Sequence, residues 1–354
     1  MKKFLILSIL AIQATFAQNS FKSEEVNYWN LADSVHIFGT LTMPENGSKF
    51  PAVILITGSG TQDRDETILG HKPFKIIAEY LSGRGFAVLR VDDRGVGKTT
   101  RGKNPKAATS QSFAYDVKSG IDYLKTRSEI NHKKIGLIGH SEGGMIAPMV
   151  ANMTKDVAYI VSLAGTGVAG RIVTANQIET IKLKGGMDTL AVKEFVAFNN
   201  NVLDIVIEEN EPKIIEEKMK MLLGTLSEEF KTKNQLRGAD NLVIKSALQS
   251  NIPWVKFYMK HDPAEDWKLV KCPILALNGT KDTQVEADLH LTAIENALKT
   301  GKNKRYKTVK LEGLNHLFQH ANTGLTDEYA KIKEDFAPEA LQIMGDWLVE
   351  TTKK

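Results

Sequence analysis

The chain has 354 residues, 42% of them hydrophobic, and a formal charge of +4, enough for one large domain or two smaller ones around a sizeable core. Charge so near balance excludes the strongly basic surface that nucleic-acid binding requires. The single cysteine, Cys272, excludes an intramolecular disulfide.

Met1-Lys2-Lys3 is a charged start, Phe4 to Ile12 an apolar run, and Ala14-Thr15-Phe16-Ala17 supplies the small residues of a cleavage site. The pattern predicts a signal peptide over residues 1–18, cut after Ala17 or Gln18. It is too short for the ~20 apolar residues of a membrane anchor, and no cysteine stands near the cut to carry a lipid. Losing Lys2 and Lys3 takes the charge from +4 to about +2. The expectation is an exported, periplasmic or extracellular protein, with no stable membrane insertion and no nucleic-acid partner; oligomeric state stays open.

Val35 to Met43 reads as a strand of edge character, ended by Pro44. Strand-like runs follow at Ala52–Ile56, Phe86–Val91, Ile135–Ile138, Tyr159–Ala164, Ile274–Leu277 and Tyr306–Leu311, most of them apolar throughout, as expected for strands buried on both faces. Amphipathic segments at Phe74–Leu81, Ala114–Lys125 and Leu291–Lys299 lie between them. Alternating strands and helices predict a mostly parallel twisted sheet with helices on both faces. The alternation stops over 167–266, where Lys, Glu, Met and Leu recur at helical spacing, as in Val206 to Leu223. This stretch is expected to be a helical cap inserted into a core of 19–166 and 267–354; the plainer alternative is a solvated helical appendage.

Lys134 to Gly144 carries Gly139-His140-Ser141-Glu142-Gly143 between a strand and a helix. That is the G-x-S-x-G nucleophile elbow of an α/β-hydrolase fold, in which a serine on a strained turn presents its hydroxyl above the sheet. Its hydroxyl needs a base, itself oriented by a carboxylate. In this fold those partners follow in the order carboxylate, then histidine, on loops after late strands. Asp282 and His316 occupy such loops, after Leu277 and Leu311. Ser141, Asp282 and His316 are therefore the expected triad. His320 and Glu312 compete less well by position, and His140 reads as a packing or supporting residue. The oxyanion hole is expected from the backbone N–H groups of Glu142 and Ser59, with Gly60 as second choice to Ser59. In the cap, Trp254, Phe257, Tyr258 and neighbouring methionines either set acyl-chain preference or merely dock the cap.

Arg94 to Thr99 imitates a phosphate-binding loop, but Asp92 stands where the pattern wants glycine. Asp92-Asp93-Arg94-Gly95 reads instead as a structural loop with a buried or half-buried ion pair, beside a solvated face of Lys98, Arg101, Lys103 and Lys106. No metal-binding spacing is present, and no cofactor is expected.

Gly58 to Glu66, Asp92 to Gly97 and Gly139 to Gly144 resemble the bacterial serine esterases of the α/β-hydrolase superfamily, close to the serine aminopeptidase-like hydrolases. Asp262-Pro263-Ala264, Val270 to Pro273, Leu277-Asn278-Gly279 and Asn315 to Gln319 carry the same resemblance, which spans nearly all of the chain after the leader. Thr61 departs from the proline expected there. The resemblance implies cofactor-free hydrolysis of carboxylic esters and the same triad; the expected enzyme works through an acyl-enzyme on small esters of short-to-medium acyl length. A peptidase, amidase or thioesterase would use the same triad, and a non-catalytic binding protein would lack one of its members.

Overall fold

The computed structural model describes residues 20–353; the expected signal peptide lies outside the described residues. The first half opens with β1 Phe21–Asn30 and β2 Val35–Pro44 and then alternates as expected: β3 Phe50–Ile56, α1 Pro73–Gly83, β4 Ala87–Val91, α2 Ser110–Leu124, β5 Ile130–His140, α3 Glu142–Met153 and β6 Val157–Leu163. Helices α4 Gly170–Lys184, α5 Thr189–Glu208, α6 Pro212–Gly224, α7 Glu228–Lys233, α8 Asp240–Ser250, α9 Pro253–Lys260 and α10 Pro263–Leu269 follow without a strand among the described residues. The chain ends with β7 Ile274–Gly279, α11 Ala287–Thr300, β8 Tyr306–Leu311 and α12 Pro338–Lys353.

One eight-stranded sheet runs in the order β1-β2-β4-β3-β5-β6-β7-β8. β1 is antiparallel to β2 and β2 to β4, and every later pair is parallel. β1 has no counterpart in the sequence-based expectations, and it displaces β2 from the edge assigned above. Its buried residues Val26, Tyr28 and Asn30 alternate with exposed Glu25, Asn27 and Trp29, the period of a strand with one wet face.

The pleat divides β3 between two cores. Ile54 and Ile56 join one apolar cluster with α2, α3, α10 and α11. Val53 and Leu55 join the other, with α1 and α12. Helices therefore cover both faces, as in the α/β-hydrolase fold.

Phe198, Val206, Ile215, Met219, Leu223 and Ile244 of α5, α6 and α8 form a third cluster, with Phe230 of α7 and Val255 of α9 packed against it, so the inserted helices carry their own small core. Val206–Leu223 is not one helix: α5 stops at Glu208 and α6 starts at Pro212, because proline has no N–H to continue the ladder and fits the first turn. At the other boundary, α10 reaches back, and its fully buried Trp267 belongs to the main core.

Candidate active site

β5 delivers the elbow. Ser141 follows the strand directly, takes φ +53° and ψ −116°, and is the N-cap of α3. The turn is held by Ser141 N–H donating to Leu163 O at 2.9 Å and by Gly144 N–H donating to Ser141 O at 3.0 Å. A Cβ on Gly139 would lie 2.1 Å from Gly143 O, and one on Gly143 would lie 2.1 Å from Ile56 O. Neither distance is tolerable, so the glycines are set by close backbone approach.

His316 is 5% exposed, and its Nδ1 lies 2.7 Å from Asp282 Oδ2. The other oxygen, Oδ1, accepts the N–H groups of Gln284 and Val285, both at 2.8 Å. With those two bonds fixing the carboxylate, the network places the imidazole proton on Nδ1 and leaves the Nε2 lone pair for another partner. Ser141 and His316 line one cavity of about 460 Å³. Ser141 Oγ and His316 Nε2 have no hydrogen-bond partner among the described residues, and such a pair commonly closes only when substrate is bound.

Ser59 lines the same cavity and Gly60 does not. Gly58 packs against Ser141, for a Cβ there would be 3.1 Å from Ser141 Cβ. The Gly58 N–H is already committed to Glu66 Oε1 at 2.7 Å, which leaves Ser59 as the next donor along the loop. Glu142 N–H heads α3, where helical geometry provides it no internal acceptor and the helix dipole favours negative charge.

The competitors fall away from the site. His320 is on the surface between Glu334 and Glu339, each at 2.9 Å, and Glu312 is exposed. Of the cap aromatics, Trp254 and Tyr258 line the cavity with Met259 and stack with centroids 5.5 Å apart. Phe257 does not line it; it packs on the main core and stacks on His261. Trp254 is also a docking contact: its Nε1 donates to Glu142 Oε1 at 2.9 Å, beside Ser110 Oγ at 2.6 Å. Helix α9 is thus tied to Glu142, the residue after Ser141.

Two carboxylates near the site, one buried and one half-buried, have roles that their sequence context does not reveal. Glu66 is 1% exposed and tied to His140. The other is in the Asp92-Asp93-Arg94 loop, whose ion pairs reach outside the motif: Arg64 grips Asp92 at 2.7 and 3.0 Å, and Arg94 reaches Asp116 and Asp33. Asp93 has no cationic partner among the described residues. It accepts Thr57 Oγ1 at 2.9 Å and Gln62 N–H at 2.8 Å. Desolvation outweighs these bonds, Glu66 and Glu142 add repulsion, and the Asp93 carboxyl is pushed up to about 7.

A carboxyl raised from an unfolded value of ~3.9 contributes stability in full below that value and loses it as pH rises through the folded one. Between pH 5 and 8 the wild-type Tm is therefore expected to fall by a few degrees relative to that of Asp93→Asn. Parallel pH profiles for the two proteins would contradict this.

The sequence profile of the serine aminopeptidase, S33, family matches residues 72–319. Esterase EstD of Thermotoga maritima is 36% identical over 118 residues, which span 33% of this chain and 27% of EstD. Est1E from Butyrivibrio proteoclasticus, solved with ferulic acid bound, superposes with TM-score 0.55 at 17% identity, covering 92% of this chain and 100% of its own. The Pyrococcus furiosus esterase Pf2001 gives 0.54 at 15% identity, covering 93% and 91%. At such identities the two structures speak for the fold.

Proposed function

From the chain's membership of the serine aminopeptidase, S33, family, we propose that it is an exported serine carboxylesterase working through an acyl-enzyme, with Ser141, Asp282 and His316 as its triad. The observation that carries this reading is the His316–Asp282 bond, which leaves Nε2 free in the cavity where the strained Ser141 stands. Ser141 Oγ attacks the ester carbonyl while His316 Nε2 takes its proton, and Asp282 holds the imidazole and stabilises its charged form. The N–H groups of Ser59 and Glu142 receive the oxyanion, preorganised on a loop and a helix start. The alcohol leaves with the proton from His316, and water then repeats the cycle on the acyl-enzyme. The helices of 167–266 act as a cap in this reading, with Trp254 and Tyr258 bounding the substrate. Export rests on the pattern of residues 1–18.

The family description raises an aminopeptidase as the rival, since such an enzyme must anchor a peptide ammonium. Among the described residues, Glu66 is the acid lining the cavity, but its Oε1 is engaged by Gly58 and His140 and its Oε2 is buried away from the cavity space. Gln62, Gln177 and Gln284 line it instead, a neutral polar surface suited to an uncharged ester.

The test sets p-nitrophenyl esters, acetate through decanoate, against aminoacyl p-nitroanilides. The expected result is turnover of the esters with a preference for short-to-medium chains. Faster cleavage of the anilides would transfer the chain to the peptidases, and turnover of neither would remove the hydrolase reading of these substrates.

A further inference from the structure

Three segments of the site converge on a buried pair, Glu66 and His140. Glu66, in the loop between β3 and α1, is 1% exposed and has φ +51°. Its Oε1 accepts the Gly58 N–H at 2.7 Å and lies 2.9 Å from His140 Nδ1. His140, the last residue of β5, is 5% exposed, and its Nε2 lies 2.9 Å from the carbonyl oxygen of His316. Phe74, Leu163 and Phe318 help to enclose the pair in apolar surroundings.

With Glu66 ionised, both ring nitrogens of His140 face atoms that only accept. A neutral imidazole has one N–H and would set its bare lone pair against either the carboxylate or the carbonyl. An imidazolium donates to both. Its positive charge also compensates a carboxylate whose second oxygen, Oε2, is buried without a hydrogen-bond partner. Without a countercharge at this distance such a carboxylate would be strongly disfavoured.

We propose that Glu66 and His140 form a buried carboxylate–imidazolium pair that positions the oxyanion loop and the His316 loop around Ser141. The proposal rests on the reading of Ser141 as nucleophile. Neither residue touches the reacting atoms. Glu66 holds the Gly58 N–H, so the loop turns with Ser59 next in line. His140 holds the backbone of His316 while Asp282 holds its ring, so the base is fixed from two sides. A supporting layer of this kind keeps catalytic groups within a fraction of an ångström of productive geometry.

Three ionisable groups face His140: Glu66 in contact from the β3–α1 loop, Asp282 through space from the loop after β7, and the His316 ring with its centroid 4.7 Å away. Burial disfavours the charged form, but Glu66 and the His316 carbonyl outweigh it, and the His140 pKa is raised above the ordinary value. The sign follows: the stabilisation from this pair is complete below ~6.5 and disappears as pH rises through the raised value.

The decisive measurement is the protonation of His140 in the whole protein. In ¹⁵N-histidine-labelled wild type at pH 7.5, about one unit above the ordinary histidine pKa, both ring nitrogens of His140 are expected to carry protons, with His140→Gln used for assignment. Glu66→Gln keeps the shape but removes the charge. It is expected to reduce ring protonation to one nitrogen at that pH and to lower kcat for a p-nitrophenyl ester about 10- to 100-fold, with KM within about twofold. A singly protonated His140 in the wild type overturns the proposal, as does Glu66→Gln with wild-type kcat. If the variant does not fold, the wild-type spectrum decides alone. Absence of ester turnover in the wild type would remove the esterase reading and leave the nitrogen measurement standing.

Discussion

Ser141→Ala is expected to lower kcat for p-nitrophenyl ester hydrolysis by about 10⁶-fold, leaving at most the ~10³-fold advantage over water that binding and an oxyanion hole supply. The loss should be confined to chemistry. Ser141 Oγ has no hydrogen-bond partner among the described residues, and alanine occupies the same turn with the same Cβ, so no native bond is broken. The Tm should stay within a few degrees of wild type, and labelling by a fluorophosphonate should vanish with the activity. Retention of more than about a thousandth of the rate would show that another group is the nucleophile, since loss of the attacking atom costs far more than that.

Asp282→Asn should cost about 10⁴-fold in kcat, through the tautomer of His316. In the wild type, Oδ1 accepts two backbone N–H groups and Oδ2 faces His316 Nδ1. An asparagine must keep its carbonyl oxygen toward Gln284 and Val285, because its amide would otherwise point N–H at N–H. The amide nitrogen then faces His316 Nδ1 and donates to it. Nδ1 becomes the acceptor, the ring proton moves to Nε2, and the base toward Ser141 is lost. Substrate binding should change little, so KM is expected to stay within about twofold. A variant with more than a tenth of wild-type kcat would refute the orienting role given to Asp282.

The alternation of buried strands and helices was readable because a parallel strand covered on both faces leaves an unbroken apolar run, as at Ala52–Ile56 and Ile274–Leu277. β1 escaped because every second residue faces water, so polar Glu25 and Asn27 dilute its signal. The displacement of β2 from the edge follows from that omission. The break between α5 and α6 was written at Pro212, yet helical spacing on either side masked it.

The site divides in the same way. Gly139, Ser141 and Gly143 announce themselves because the elbow's backbone admits few residues, and Asp282 and His316 follow from chain order and strand ends. Glu66 and Asp93 gave no comparable signal. An acid in a polar loop looks the same in sequence whether it is solvated or sealed beside a histidine. Its meaning comes from His140 and Gly58, 74 and 8 residues away. Phe257 and Trp254 share a short helix, but which faces the cavity and which the core depends on how α9 is docked.

The sequence alone determined the layered fold, the strained turn at Ser141 and the order of the catalytic candidates, because each is written in local periodicity or in backbone sterics confined to a few neighbouring residues. Only the tertiary structure decided the sheet's edge, the commitment of the Gly58 N–H, the tie of α9 from Trp254 to Glu142 and the environment of His140. Those depend on burial and hydrogen bonds between distant segments, where desolvation and the count of donors and acceptors, rather than residue type, fix what a side chain does.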